Sequence, residues 1–471
     1  MWDKSKCNAT GPMPYPVIGN GHLLAVDSTE FIKVLKRLED ENNRTAQIFL
    51  FNDRYVLSSD PKVLEAMLTS TELITKGNSY KFLKPWLGDG LLTSTGQKWK
   101  AHRKFLTPAF HFNILQNFLP VFCKNGKVLT KKLRGLADGG GAIDLFPIVA
   151  LAALDNVTES IMGVSVNAQS DHESEFVKAV DAISSVIATR MRNPFIAPDA
   201  VFSLLPQKAV QDKALAVLHG QTNRVISARR EELSKSNASD QFASSEHGIK
   251  NKHAFLDLLL LAEVDGKKIS DESIRAEVDT FMFEGHDTTT SGIVYCLHCL
   301  SLRKDIQTKI YEEQKSIFGS EFGRDPTYHE LHQMKYLELV IKESLRLFPS
   351  VPIIERTVTQ DSNVAGYKVP KGTSLVMDFI NMQRDPELYE DPLEFKPERF
   401  ESVNRNPFYW LPFSAGARNC IGQKFAMMEM KVTISEIVNS FRILPTDEEP
   451  VLAADLILRS RTGVKVKLAP R

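Results

Sequence analysis

"PFSAGARNCIGQKFA", Pro412 to Ala426, sets a cysteine between two glycines, places an arginine two residues ahead of it, and runs directly into a helical pattern. A thiolate is a strong, soft metal ligand, and a nearby cation or helix N-terminus favours loss of the thiol proton. Cys420 stands just before a helix expected to begin near Gly422, so N–H groups at that helix start can point at its sulfur. Gly416 permits a turn with positive φ, and Gly422 lets a flat ligand approach the backbone. Arg418 suits an anion on that ligand, and Phe413 can shield the sulfur from water. One cysteine without partner Cys or His does not make a zinc site, but it suits single-ligand attachment of heme iron. The competing reading is a buried structural cysteine in a turn. Ten positions matching F-x-x-G-x-R-x-C-x-G weigh against it.

The rest of the chain bounds what such a site belongs to. Its 471 residues suffice for two or three average domains, or for one large single-core enzyme. It is 43% hydrophobic and 25% charged, the profile of a soluble globular protein. Lys plus Arg and Asp plus Glu are both 58, which gives no reason to expect a nucleic-acid partner. Five scattered cysteines (Cys7, Cys123, Cys296, Cys299, Cys420) argue against a disulfide framework and for a reducing compartment. Cys296 and Cys299 have the spacing of half a zinc site, yet they lie in the apolar run "GIVYCLHCLSL" and read as core. The longest apolar run, "LFPIVALAAL" (Leu145–Leu154), is about half the ~20 residues of a spanning helix. The opening "TGPMPYPVIGN" carries prolines at 12, 14 and 16. They favour a stiff extended segment, a hinge with almost nothing before it.

No internal repeat is visible. "SKSNASDQFASSEHGIKNK" (Ser234–Lys252) reads as a polar loop between helices. Apolar residues at three-to-four spacing mark helices in "HAFLDLLLLAEV", "SDESIRAEVDTFMFEGHDTTTSGIVYCLHCLSL" and "MKYLELVIKESLRLF", with Ser270 as an N-cap. Strand signals are fewer: "QIFLFNDRYVLSS", "GYKVPKGTSLVMDF" and "VKVKLAP". The fold class is mainly α with small β-sheets.

With these segments in order, the chain resembles the cytochrome P-450 superfamily over nearly its whole length. "GPMPYPVIGN", "WKAHR", "EGHDTT", "ESLR", "PERF" and the cysteine loop all stand in family order. The resemblance implies one P-450 domain over residues 1–471, with residues 1–20 as a proline-rich hinge from which the membrane anchor is absent. It implies heme b between the oxygen-site helix and the cysteine-loop helix, with Cys420 as iron ligand. Trp99 and Arg103, four apart on one helix face, would donate to a heme propionate, and Arg356 resembles the second propionate arginine. Lys98, Lys100 and Lys104 read as a solvated basic face, or as a face for an acidic redox partner. Glu343 and Arg346 sit one turn apart in apolar surroundings, and Arg399 of "PERF" would complete a Glu–Arg–Arg cluster that serves folding.

Phe281, Glu284 and Thr288 fall on one helical stripe. Thr288 is expected to return a hydrogen bond to the carbonyl four residues back and open the helix, with Gly285 leaving room for a small molecule. Asp287 is the expected proton shuttle, the alternative being a helix-capping Asp–Thr pair. In the family this acid–alcohol pair delivers the protons that dioxygen cleavage consumes. Members that rearrange peroxides without outside electrons typically lack it, so its presence favours a monooxygenase. Two departures stand out: Ala417 replaces a common proline, and Gln383 replaces a frequent histidine.

"EVDTFMFEGHDTT" (Glu277–Thr289) is similar to the signature of the fourth P-450 family, the fatty-acid ω-hydroxylases and their insect relatives. In several members a glutamate at the position of Glu284 forms an ester with a heme methyl; here it reads either as linked or as paired with a neighbouring donor. The resemblance implies NADPH-cytochrome P-450 reductase as electron source, with cytochrome b5 as a second donor. It also implies location on the cytosolic face of the endoplasmic reticulum membrane. The substrate would be apolar: a lipid hydroxylated at its ω end, a hormone or a xenobiotic. Tyr80–Leu92, Val351–Ile354 and Leu456–Leu458 line its pocket or belong to the core, and "NPFIAPDAVFSLLP" (Asn193–Pro206) is either a membrane contact or core. The rival class is a heme-thiolate sensing protein without turnover.

Overall fold

The computed structural model describes residues 6–170, 174–235, 255–261, 263–264, 267–402 and 406–471. Helix starts follow local capping chemistry. α1 (Ser28–Asp40) begins at Asp27, whose carboxylate accepts from the N–H groups of Thr29 and Glu30. α2 (Gly96–Leu106) carries "WKAHR", and α3 (Leu119–Ala137) follows. α4 (Leu145–Ser160) is apolar nearly all round and correspondingly buried on most sides, as a helix inside a core must be. α5 (Glu175–Arg192) packs on α6 (Pro206–Lys235). α7 (Asp271–Ser301) starts where the sequence indicates, with Ser270 Oγ accepting from Ser273 N at 3.2 Å. It packs against α4, α6, α8 (Lys335–Leu347) and α9 (Gln423–Ser440), and so runs through the centre of the molecule.

The strand signals produce small sheets. β1 (Thr45–Leu50) and β2 (Asp53–Ser58) form a hairpin, extended by β3 (Ile353–Thr357) and β4 (Ser374–Asp378) in the order β1-β2-β4-β3. β2 and β4 are parallel and the other pairs antiparallel. β5 (Leu452–Ala454) pairs with β6 (Leu458–Ser460), and β7 (Lys465–Pro470) pairs with Phe441–Leu444.

The proline-rich opening runs beside β1. Gln47 N donates to Thr10 O at 2.6 Å, and Asn20 N donates to Phe49 O at 2.6 Å, so the segment lies along β1. A Cβ on Gly11 would fall 1.9 Å from Gln47 O, so glycine lets the two backbones touch. Cys296 and Cys299 are buried in the core beside Ser344. Among the described residues no cluster of His, Cys, Asp and Glu could hold a metal ion, and no helix is long and apolar enough to cross a membrane. Of the Ser234–Lys252 stretch only Ser234 and Lys235 lie within the described residues, where they end α6.

Candidate active site

Cys420 opens on a cavity between α7 and the loop before α9, with about 1280 Å³ of space free of protein atoms. The loop is shaped by its glycines. Gly416 takes φ 70°, and a Cβ there would lie 1.9 Å from Leu68 O. Gly422 is different: its φ is −89°, and a Cβ would meet only Cys420 Sγ, at 4.0 Å. None of the described residues fills that space. Cys420 N donates to Phe413 O at 2.9 Å, and the Gly422 N–H is directed at the sulfur. The cysteine side chain is exposed although it lies deep in the molecule, because its free surface faces the cavity. Burial pushes the thiol up to about 12, and Glu284 adds to this. A thiolate here therefore needs the charge of a bound cation.

Phe281, Glu284 and Thr288 of α7 line the cavity together, as their spacing predicts. Thr288 Oγ1 donates to Glu284 O at 2.6 Å, the expected back-bond, yet α7 continues unbroken through this turn. The expected opening is thus not present, because the back-bond is added to an intact helix. Ser350 Oγ also donates to Thr288 O at 2.8 Å. Gly285 borders the cavity, but a Cβ on it would meet Val157 Cγ2 at 2.7 Å, so close packing on α4 requires glycine here. Asp287 is not on the cavity wall. It is wholly buried, with Oδ1 accepting from Arg459 Nη2 at 2.6 Å and Oδ2 without a partner among the described residues. Arg459, on β6, also donates through Nη1 to Asp181 on α5 at 2.9 Å. Burial raises Glu284 to about 7, while Lys76 pulls it down.

Four cations line the same cavity: Lys76, Arg103, Arg356 and Arg418. Arg103 donates to Asn419 O at 2.8 Å and Asn419 Oδ1 at 2.6 Å. Arg418 stacks over Trp99, 4.1 Å from the ring centre, and donates to the carbonyls of Ile74, Leu91 and Ser94. Arg356 donates to Glu355 O at 3.2 Å. Lys76, Arg459 and Ser350 were not singled out by the sequence; each stands outside a periodic pattern and acquires its place only from tertiary contacts.

Sequence partners far apart also meet below the site. Glu343 accepts from Arg346 at 2.7 and 2.8 Å and from Arg399 Nε at 2.9 Å, all three buried or nearly so. Gln383, the histidine replacement, accepts from Leu411 N at 2.7 Å and donates to the carbonyls of Leu345 and Arg346. It thus ties the cluster to the segment leading into the cysteine loop. A second cavity, walled by apolar side chains such as Phe31, Leu50, Leu83 and Ile457, shares Glu284 and Thr288 with the first. Tyr80, Val351, Ile354 and Leu456 do line it, whereas Phe82, Trp86, Leu87 and Leu458 are core.

An open thiol, unfilled space over Gly422 and four cations facing a single acid are a cavity built for a flat dianionic group with one metal ligand. Heme b, with one iron and two carboxylates, fits these residues. A family model described as "Cytochrome P450" matches residues 10–468. The chain is 41% identical over 470 residues to cytochrome P450 4d2 of Drosophila melanogaster, covering 98% of this chain and 93% of that one. It is 41% identical over 482 residues to cytochrome P450 4V2 of Homo sapiens, covering 100% and 91% respectively. These relatives carry the family-four designation that the Glu277–Thr289 stretch resembles. On cavity, cysteine loop and relatives together, the chain belongs to the cytochrome P-450 family of heme-thiolate monooxygenases.

Proposed function

We propose that this enzyme hydroxylates a long-chain fatty acid or similar lipid at its ω end, taking electrons from NADPH-cytochrome P-450 reductase, with cytochrome b5 as a second donor. The observation that carries this reading is the second, apolar cavity meeting the first at Glu284 and Thr288, which suits a long apolar chain ending at the oxygen site. Bound heme supplies the iron chemistry that activates dioxygen. Cys420 ligates it, Phe413 covers the sulfur, and Gly422 gives the ring room. Trp99, Arg103, Arg356 and Arg418 would hold its propionates. Thr288 offers a hydroxyl to the oxygen site, and Asp287, held by Arg459 in an ion-pair chain that reaches the exposed Asp181, is the carboxylate that carries the proton. Glu284, on the stripe beside them, would bond a heme methyl. Glu343, Arg346 and Arg399 hold the fold beneath the pocket. Residues 1–471 act as one P-450 domain.

An exposed apolar patch supports a place on the cytosolic face of the endoplasmic reticulum. Met13, Tyr15 and Val17 are exposed, and Phe51 N donates to Ile18 O at 3.3 Å. Phe51 packs edge-on against the half-exposed Phe195, and Leu204, 85% exposed, lies in the same stretch as Phe195. Phe202 is instead core, beneath Arg190.

The test is reconstitution with the reductase and NADPH, scanning lipids by mass spectrometry. Terminally hydroxylated fatty acid is the expected product. Turnover of other apolar compounds, with fatty acids untouched, would overturn the substrate reading.

A further inference from the structure

Among the described residues, Arg192, the last residue of α5, is the one cation on the wall of the second cavity. It is buried, yet its guanidinium is poorly spent. Nη1 donates to Ala454 O at 3.0 Å, while the contacts to Asp455 Oδ1 and Thr189 Oγ1 are both stretched to 3.4 Å. Nε has no partner among the described residues. Five N–H donors in a rigid fork thus share one good bond. Asp455 is already claimed, because Arg461 Nη2 donates to both oxygens of that carboxylate, at 2.9 and 2.8 Å. Burial lowers Arg192 from its usual range and Arg461 adds to this; Asp455 and then Asp27 oppose it. Of the other acids on the wall, Glu355 accepts from Ser79 and is itself raised by burial, and Glu284 stands at the junction with the first cavity. A buried cation short of counter-charge is costly until an anion reaches it.

The place of this arginine matters as much as its charge. Its guanidinium lies 5.9 Å from the ring centre of Phe31 on α1 and bonds Ala454 on β5. No described residue of α1 or β5 lines the first cavity, whereas Glu284 and Thr288 line both. A long chain with one end at Thr288 therefore brings its other end among α1, α5 and β5. We propose that Arg192 is a specificity-determining residue, which receives the carboxylate of a fatty acid in the second cavity and so presents the opposite end of the chain to the oxygen site. The proposal rests on the lipid ω-hydroxylation reading and names the group that would select the acid. A guanidinium fork and a carboxylate match in shape, so the bond fixes direction as well as position. With one end held, chain length decides which carbon stands at the oxygen site.

The measurement is the shift of the ferric heme spectrum on substrate binding, read on the holoenzyme with dodecanoate and with 1-dodecanol as probes. Arg192→Gln should raise the Kd for dodecanoate about tenfold or more and leave that for dodecanol within about twofold of the parent. Arg192→Lys, which keeps the charge, should recover most of the loss. Turnover should show the same split: a higher KM for dodecanoate, an unchanged carbon monoxide spectrum, and terminal hydroxylation giving way to inner carbons. An unchanged Kd for dodecanoate overturns the proposal and leaves the lipid reading standing. Equal weakening of acid and alcohol also overturns it, by marking a packing defect. If Arg192→Gln does not fold, Arg192→Met, which fills the space without a charge, reads the same comparison. A parent chain that neither binds nor hydroxylates any fatty acid would overturn the ω-hydroxylation reading and the proposal together, an outcome distinct from the other two.

Discussion

Asp287 and Arg459 meet at 2.6 Å behind α7, away from the cavity that Thr288 lines one residue later. Adjacent residues on a helix point about 100° apart, so the acid–alcohol pair legible in the sequence is split between two environments. Asp287→Asn keeps the shape and removes the exchangeable charge. It should lower kcat about 100-fold, leaving the carbon monoxide difference spectrum unchanged. Arg459→Leu should instead destabilise the fold by about 3–5 kcal/mol, because it strands a buried carboxylate. Urea unfolding of the two variants separates the effects.

Cys420→Ala should abolish heme incorporation. The reduced, carbon monoxide-treated parent protein should show the long-wavelength Soret band of thiolate-ligated heme. The thiol is held near 12 by burial, so metal binding and thiol ionisation are one event. Heme content by pyridine hemochromogen is the measurement, and a normal value in the variant would remove Cys420 from its role.

Glu343→Gln should be costly at a distance from the chemistry. The carboxylate takes bonds from Arg346, Arg399 and the Lys396 N–H inside the core. Its loss leaves two buried guanidiniums facing an amide, a cost of about 3–5 kcal/mol. The expected result is lower yield and a depressed denaturant midpoint, with intact spectra in whatever protein folds.

Glu284 should become covalently attached to heme during turnover. Buried on the cavity wall and raised to about 7, it is poised between neutral and charged forms, with Lys76 favouring the carboxylate. Acid denaturation after turnover, followed by mass analysis, should show protein plus heme. Complete dissociation, identical to Glu284→Ala, would rule the link out.

What the sequence made legible follows what chemistry is local. The Cys420 loop, the Ser270 cap and the Phe281–Glu284–Thr288 stripe are readable because spacing along the chain dictates their geometry. The reason for Gly285 was not readable: Val157, far away in sequence, sets it. Likewise Arg459 comes to Asp287 from 172 residues away, and Lys76 acquires its cavity position through pairing with β3. Nothing in the local pattern of either residue signals burial.

The last prediction concerns pH. Glu429 on α9 is wholly buried, accepting from Asn156 Nδ2 at 2.9 Å, and burial raises it to about 8. Its other oxygen, Oε2, has no hydrogen-bond partner among the described residues, and Thr289 only partly offsets the effect of burial. A buried carboxyl oxygen with no donor is costly to keep charged, which favours the protonated form. An acid whose folded pKa is raised leaves the folded state holding more protons than the unfolded one between the two values. Its contribution to stability is full below the unfolded value of about 4.3 and is lost as pH rises towards about 8. The slope is at most about 1.4 kcal/mol per pH unit for one proton. Asp378 and Glu284, each raised to about 7, act with the same sign. His286, buried and lowered to about 4, acts oppositely as pH falls below about 6.5. Glu429→Gln isolates the single group, since glutamine mimics the neutral acid. The variant should match the parent near pH 4 and gain on it steadily up to pH 8. Parallel unfolding curves for the two proteins across that range would show that Glu429 is not the protonated acid.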